Sequence, residues 1–421
     1  MNILYIYQYF KTREGYGSTR SYEFVRRLRS AGHEVLVISS TARVSADGGR
    51  KVLGIAETTI EGIPIWAIPS SYSNRMGFLR RGVEFLRFAV LSSLAVLRAP
   101  RPELIFASST PLTVAIPALI GHWFRLIPLV FEVRDLWPEV PAGMGILRSR
   151  LLLGLARGLA RTTYRASARI IALSSGMRDG ILRYGIPPDR VLVIPNGSDL
   201  DLFRPDVDGS RLRERLGLAP DAFLIVHTGA MGIVNGLDCL IPVCQRLQAT
   251  LPRAMLYLVG DGGQRVRLEA RAREAALTNL HFHDPVPKSQ MPEWLAAADL
   301  GLMIIKRIPI LEMNSANKFF DYAAAGLPCL MNYGGWKAEL LRRYEAGVAE
   351  ETDDPAEFAS AIESLAADPA RLAAMRHNAR RMAVAEFDRD AHFASLLDAI
   401  LEATGTRVAE LRPSGRLEGR A

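Results

Sequence analysis

K-R-I-P-I-L-E-M-N-S-A-N-K-F-F-D-Y-A-A-A-G, residues 306 to 326, follows the apolar run D-L-G-L-M-I-I at 299 to 305. A short run rich in aliphatic and β-branched residues reads as a parallel strand buried on both faces. A helix is expected next: Asn314 and Ser315 offer N-caps, Phe319 to Ala325 suit a helix, Gly326 takes the left-handed cap and Pro328 forbids continuation. Asn317 and Asp321, four apart, share one helix face, while Phe320 and Ala324 share another suited to packing on a sheet. That puts a polar face at a helix start beside the carboxyl end of a strand, where open α/β sheets bind ligands. Helix starts also attract phosphate, and Lys306, Arg307 and Lys318 could neutralise one.

The same strand, loop, helix alternation recurs on both sides of this stretch. Ile3 to Tyr7, the loop Gly15-Tyr16-Gly17-Ser18, a helix from Arg20 to Ala31, the cap Gly32 and a strand from Glu34 to Ile38 form a first βαβ unit. Its Gly-x-Gly does not complete a dinucleotide fingerprint. Strands are expected near Ile63 to Ile68, Leu104 to Ala107, Pro128 to Glu132, Ile170 to Ala172 and Val191 to Ile194. The turn P-N-G-S-D at 195 to 199 and the charged stretch to Arg215 mark a domain boundary. A second series begins at Phe223 and runs through the loops at 228 to 232 and 261 to 263. It ends in helices at 355 to 366, 369 to 386 and 387 to 402, and the remaining tail reads as disordered.

A chain of 421 residues exceeds one ordinary core, so two domains of roughly 200 residues are expected. Three cysteines in no C-x-x-C pair argue against a disulfide framework or zinc site. His33, between a capping glycine and a strand, reads as structural. The first residues read as a strand rather than a signal peptide, and no stretch of about 20 uninterrupted apolar residues would span a bilayer. The net charge of +8 is concentrated in two apolar stretches. Arg75 to Arg98 carries five arginines and one acid, and Leu147 to Arg169 carries six arginines and no acid. Such basic, apolar helices suit an anionic membrane surface, and no aromatic-interleaved basic platform accompanies the arginines to suggest nucleic acid.

Six motifs in order resemble a known family. They are the Gly15 to Ser18 loop with A-G-H-E-V at 31 to 35, R-D-L-W-P-E at 134 to 139, I-P-N-G-S-D at 194 to 199, G-A-M-G-I-V-N-G-L-D at 229 to 238, V-G-D-G at 259 to 262 and N-K-F-F-D-Y-A-A-A-G at 317 to 326. Together they resemble the retaining glycosyltransferases of family 4, most of all the bacterial type that builds O-antigen, capsule and exopolysaccharide. The resemblance implies an α/β protein of the GT-B fold: two Rossmann-like domains facing each other across a cleft, with a last helix crossing back to the first. Boundaries follow at 1–198 for acceptor binding, 199–386 for the nucleotide-sugar, 387–404 for the returning helix and 405–421 for the tail. It implies transfer of a hexose or N-acetylhexosamine from a nucleotide-sugar, a UDP-sugar being expected, to a polyprenyl-diphosphate-linked saccharide. The enzyme would work without metal or cofactor, in the cytoplasm, on the inner face of the plasma membrane.

By the same resemblance Gly229, Met231, Gly232, Asn235, Gly260, Asp261, Val286, Asn317, Lys318 and Asp321 would form the donor site. Asp321 matches the second acid of the family's Glu, seven residues, Glu signature and would accept hydrogen bonds from the ribose hydroxyls. The first acidic position falls on Met313, beside Glu312, and the loop from Gly229 to Leu237 lacks the family's Arg and Lys. Phosphate charge is therefore assigned to Lys306 and Lys318, catalytic with Asp321. Gly15, Gly17, Ser18, Arg134 and Asp135 would lie on the acceptor side, with front-face attack by an acceptor hydroxyl and no obligatory base. The spellings Asp199-Leu200-Asp201 and Asp206-Val207-Asp208 match a metal-binding Asp-x-Asp but sit in a linker. A UDP-sugar 2-epimerase and a degenerate, membrane-associated assembly protein remain alternatives.

Overall fold

The computed structural model describes residues 1–42, 51–52, 54–71 and 76–405. Arg75 and the tail from 406 onward lie outside the described residues. Two separate sheets account for the strands. The first holds β1 (Asn2–Ile6), β2 (Glu34–Ser40), β3 (Lys51–Val52), β4 (Ile55–Ile60), β5 (Ile63–Ile68), β6 (Leu104–Ser108), β7 (Leu129–Val133), β8 (Arg169–Ala172) and β9 (Val191–Val193). Their order is β3-β4-β5-β2-β1-β6-β7-β8-β9, parallel except for the antiparallel edge β3-β4-β5. The second holds β10 (Phe223–Thr228), β11 (Ala254–Val259), β12 (Leu280–His283), β13 (Leu300–Met303), β14 (Cys329–Met331) and β15 (Gly347–Ala349), all parallel, in the order β12-β11-β10-β13-β14-β15. The central strands read as continuous apolar runs because helices cover both faces: all five residues of β6 and of β7 are buried.

Strand order reverses beside β1 in the first sheet and beside β10 in the second. A crevice opens at such a switch point, outside the carboxyl ends of the strands. The loops at these two places are the Gly15 to Ser18 loop and the Gly229 to Gly236 loop, which sets both in position to serve one site.

The chain crosses between the domains twice. Residues 194 to 209 lead out of β9, and the last helix, Arg389–Thr404, returns to pack Leu396, Ala399 and Ile400 with the buried residues of the first sheet. The crossings lie side by side, joined by a bridge between Ser198 and Asp388. Asp199, the candidate metal ligand by spelling, is buried there: Arg389 donates to it at 2.8 Å, and Arg27 and Arg13 stand at 3.5 and 3.8 Å. Asp208 binds the amide and hydroxyl of Ser210. These carboxylates therefore shape the connection, and among the described residues no group of three His, Cys, Asp or Glu could hold a metal.

Local readings are corrected in three places. The second basic stretch is a helix only over Arg150–Ala166, with Ser149 as its cap; Arg148 donates back to the Gly145 carbonyl, and Arg169 begins β8 and pairs with Glu402 at 2.9 Å. The first basic helix is Phe78–Arg98. The helix of the opening stretch is Asn317–Ala324, and neither Asn314 nor Ser315 is its N-cap.

The first domain is tied to the crossing by Arg20, fully buried at the start of the helix Arg20–Ser30. Its guanidinium donates to Glu132 at 2.8 Å and to the carbonyls of Ile194 and Pro195. Burial pushes the Glu132 carboxyl up, but Arg20 and Arg134 more than reverse this and leave it below its ordinary range. Removing one partner of a buried pair strands the other charge, at a cost of about 3–5 kcal/mol. Arg20→Met is therefore expected to lower the melting temperature by roughly 10 °C. The double variant Arg20→Met/Glu132→Gln should recover part of the loss; equal melting of Arg20→Met and wild type, by calorimetry, would remove this role.

Candidate functional site

The helix Asn317–Ala324 is gripped from both domains. From the first domain and the crossing, Ser174 donates to the Met313 carbonyl at 2.7 Å, Asn196 donates to Ser315 through its amide nitrogen and its side chain, and Ser198 donates to Asp321 at 3.0 Å. From the second domain, the buried Lys337 donates to Asn314, whose side-chain oxygen accepts from the Ala316 amide at 3.2 Å. No side chain caps the helix itself. Its first N–H groups thus stay available to an anion, with the helix dipole behind them.

The expected polar face looks across to the first domain. Arg134 donates to Ser18 at 2.6 Å, and Ser18 donates to the Asn317 side chain at 3.4 Å. A second link runs from the Lys288 amide to the Gly15 carbonyl at 3.2 Å. Ser18 and Arg134, expected on one side, and Asn317, expected on the other, thus form one hydrogen-bonded chain. Asp135 diverges from Arg134: it is exposed and accepts from Thr110 at 3.0 Å. Arg134 instead stacks over the Tyr7 ring, 4.9 Å from its centroid. Gly17 has φ 101°, and its open side faces the Lys11 amine.

The glycine loops of the second domain interlock. Gly260 has φ 153°, and a Cβ there would fall 1.9 Å from the Gly229 carbonyl, so only glycine lets the two turns meet. Met231 joins the two loops by backbone, donating to the Asp261 carbonyl and accepting from Gln264. Its side chain is buried in the core rather than turned to a ligand, because the loop folds inward at that residue. The Asn235 side chain closes the loop on the Ala230 carbonyl, and its amide donates to Gly232. Val286 is likewise a core side chain, two residues before Lys288.

The two lysines assigned to phosphate flank this loop. Lys306 is exposed; its amide donates to the Val234 carbonyl and its Cγ lies against Gly236. Lys318 is half-buried with its side chain beside Gly229, and its amine donates to His227 Nε2 at 2.7 Å. Among the described residues neither lysine has a carboxylate within salt-bridge distance. Burial pulls the Lys318 amine down to about 7.

Asp321 departs from its expected role. The residue is only 6% exposed, with one carboxylate oxygen accepting from Ser198 and the other from Lys288 at 2.5 Å. Lys288 is itself 6% exposed, over the Phe203 ring, so its buried ammonium requires a counter-ion and takes this one. In this state Asp321 is a fastening between the helix, the crossing segment and the Gly15 loop rather than an open acceptor. Lys288, His227 and Lys337 were not found from sequence, since each acts through a partner far along the chain. Asn196 and Ser198 lay in a motif already singled out, without a role.

Comparison with known proteins agrees with this two-part organisation. Residues 17–197 match the family described as "Glycosyl transferase 4-like domain", and residues 222–368 match "Glycosyl transferases group 1". A D-inositol 3-phosphate glycosyltransferase of Xylanimonas cellulosilytica is 30% identical over 257 residues, 58% of this chain and 59% of that protein. The putative colanic acid biosynthesis glycosyl transferase WcaI of Escherichia coli is 24% identical over 294 residues, 68% of this chain and 72% of WcaI. The chain thus spans about three-fifths of the first relative's length. Among solved structures, Anabaena HepE in complex with UDP and glucose superimposes with a TM-score of 0.70 at 19% identity, covering 94% of this chain and 98% of HepE. That likeness shows the two-domain GT-B fold. With its two halves matched in order over most of its length, the chain belongs to the glycosyl transferase group 1, GT4-like family.

Proposed function

We propose that the protein transfers a sugar, with retention of anomeric configuration, from a UDP-linked donor to a lipid-linked saccharide in surface polysaccharide assembly. The observation that carries this reading is the Arg134–Ser18–Asn317 chain, which brings the first domain's switch-point loop to the helix start, where Lys318 lies beside the Gly229 turn of the second. The donor diphosphate would lie between that start and the Gly229 turn. When the sugar bond breaks, negative charge grows on the leaving oxygen, and Lys318, Lys306 and the helix amides would meet it. The acceptor hydroxyl would arrive from the Arg134 side, on the face the leaving group departs from. HepE's complex with UDP and glucose supports the donor class, and WcaI's name supports the polysaccharide role.

The lipid-linked acceptor is supported by the surface of the first domain. The helix Phe78–Arg98 leaves Leu79, Val83, Leu86, Val90, Leu94 and Leu97 exposed, Leu79 to 84%. Spacings of three and four put them on one face. The neighbouring helix Ala115–Arg125 ends in exposed Trp123 and Phe124, with Leu126 beyond, and Arg150–Ala166 exposes Leu151, Leu152 and Leu155. Arg80, Arg87, Arg98, Arg150, Arg157, Arg161 and Arg165 are exposed on the same helices. A broad apolar face bordered by cations fits an anionic bilayer surface. Among the described residues no helix is long and apolar enough to cross a membrane.

Incubation with UDP-, GDP- and dTDP-sugars and a polyprenyl-diphosphate saccharide should give acceptor-dependent transfer from the UDP-sugar. Release of an isomer without acceptor would favour an epimerase, and no thermal shift with UDP would favour a non-catalytic protein. Lys318→Ala and Lys306→Ala should each weaken donor binding by at least about tenfold; unchanged binding in both would remove their assignment. A UDP-sugar carries a fixed charge near neutrality, so the pH dependence of its binding reports on the protein. Only protonated Lys318 attracts it, so affinity should fall as pH rises through about 7, in calorimetric titrations between pH 6 and 9. Flotation with anionic vesicles should carry the protein at low salt and lose it at high salt, and Leu79→Glu/Val83→Glu should abolish it; no binding at low salt would refute the membrane surface.

A further inference from the structure

His227 is a fully buried histidine one residue before the end of β10, after the apolar run Phe223 to Val226. Its Nδ1 lies 3.2 Å from the Leu302 carbonyl, an acceptor only, so Nδ1 carries the proton. Nε2 is then an acceptor, and the group it faces is the Lys318 amine at 2.7 Å, beside the exposed Gly229 turn. The same turn is anchored on the helix by the Tyr322 hydroxyl, which accepts from the Thr228 amide at 2.9 Å.

We propose that His227 is a positioning residue for the donor site: fixed as the Nδ1–H tautomer by Leu302, it holds the Lys318 amine beneath the Gly229 turn, where an arriving diphosphate takes it over. The inference rests on the reading that this turn receives a diphosphate, and it adds how the cation is stored while the site is empty. A lysine side chain has many rotamers, and holding it in one before the ligand arrives removes that ordering cost from binding.

Among the described residues the other groups facing this amine supply no counter-ion. Cys329 of β14 is pushed up to about 12 by burial and stays a neutral thiol. Lys337, on the helix Trp336–Tyr344, is drawn well below its ordinary value by burial. The Tyr322 hydroxyl is engaged with Thr228, and the Asp321 carboxylate with Lys288 and Ser198. His227 itself is kept neutral, first by burial and then by the neighbouring Lys318. With a neutral imidazole as its partner among the described residues, the amine is easily passed to an anion. Taking over the amine restores its full charge, so binding takes up a proton from solvent and release returns it.

Calorimetric titration of the full chain with UDP-glucose from pH 6 to 9 tests this in wild type, His227→Phe and His227→Gln. Loss of one hydrogen bond to a charged group should weaken binding by about tenfold in His227→Phe. The freed amine turns to solvent and regains an ordinary lysine value, so the fall in affinity above pH 7 should also flatten. His227→Gln, whose side-chain oxygen can accept from the amine, should bind within about threefold of wild type. Should His227→Phe fail to fold, His227→Asn, too short to reach, replaces it. Wild-type affinity and pH profile in the non-accepting variant, whatever its melting temperature, would overturn the proposal. If wild type binds no UDP-glucose, the donor reading fails separately. The Lys318 amine titration, followed by NMR in the ligand-free protein, then decides: a midpoint raised in His227→Phe supports the positioning role, and an unmoved one overturns it.

Discussion

One short helix, Asn317–Ala324, is fastened to both domains at once, and the arrangement of the site depends on that fastening. Ser18, Ser174, Asn196 and Ser198 hold it from the first domain and the crossing, while Lys288 and Lys337 hold it or its lead-in from the second. Most of these contacts are half-buried or buried, where a polar group left without a partner costs about 1–3 kcal/mol. The contacts are therefore not interchangeable with water, and the helix start is presented in one orientation. A cleft between two independently folded sheets would otherwise be free to vary in width.

The buried cations around this helix divide by partner, and the partner sets what each can do. Lys288 faces a carboxylate and fastens the structure. Lys337 faces a carbonyl and an amide oxygen, and orders the turn before the helix. Among the described residues Lys318 is the one of the three whose amine is held by a neutral imidazole alone, with no oxygen acceptor beside it. Burial draws the Lys318 and Lys337 ammonium groups below their ordinary range. A lysine stored at such cost beside an exposed glycine turn is spent well on a diphosphate and poorly on stability alone.

Much of this was legible in the chain. Continuous apolar runs announced the parallel strands, and the spacing of Asn317 and Asp321 announced a polar helix face that the structure turns toward the first domain. The antiparallel edge at Ile55–Ile60 was not foreseen, because alternation over six residues is weak beside a loop. Nor was the N-cap at Ala316, since Asn314 spends its side-chain oxygen on the Ala316 amide, two residues on, rather than on an N–H of the helix. Asp321 kept its place and changed its role, because Lys288, 33 residues earlier, brings a buried charge that sequence spacing does not connect to it. His227 was hidden for a different reason: inside an apolar strand it reads as one more core residue, and only Leu302 and Lys318 give its two nitrogens opposite duties.

A crystal structure of the protein soaked with UDP addresses the central claim, that the two domains close over a diphosphate at this helix start. The account predicts diphosphate oxygens within about 3 Å of the Lys318 amine and of the first amides of the helix, over the Gly229 turn. A nucleotide seated elsewhere, with Lys318 still bonded to His227 and the helix start unoccupied, would contradict it.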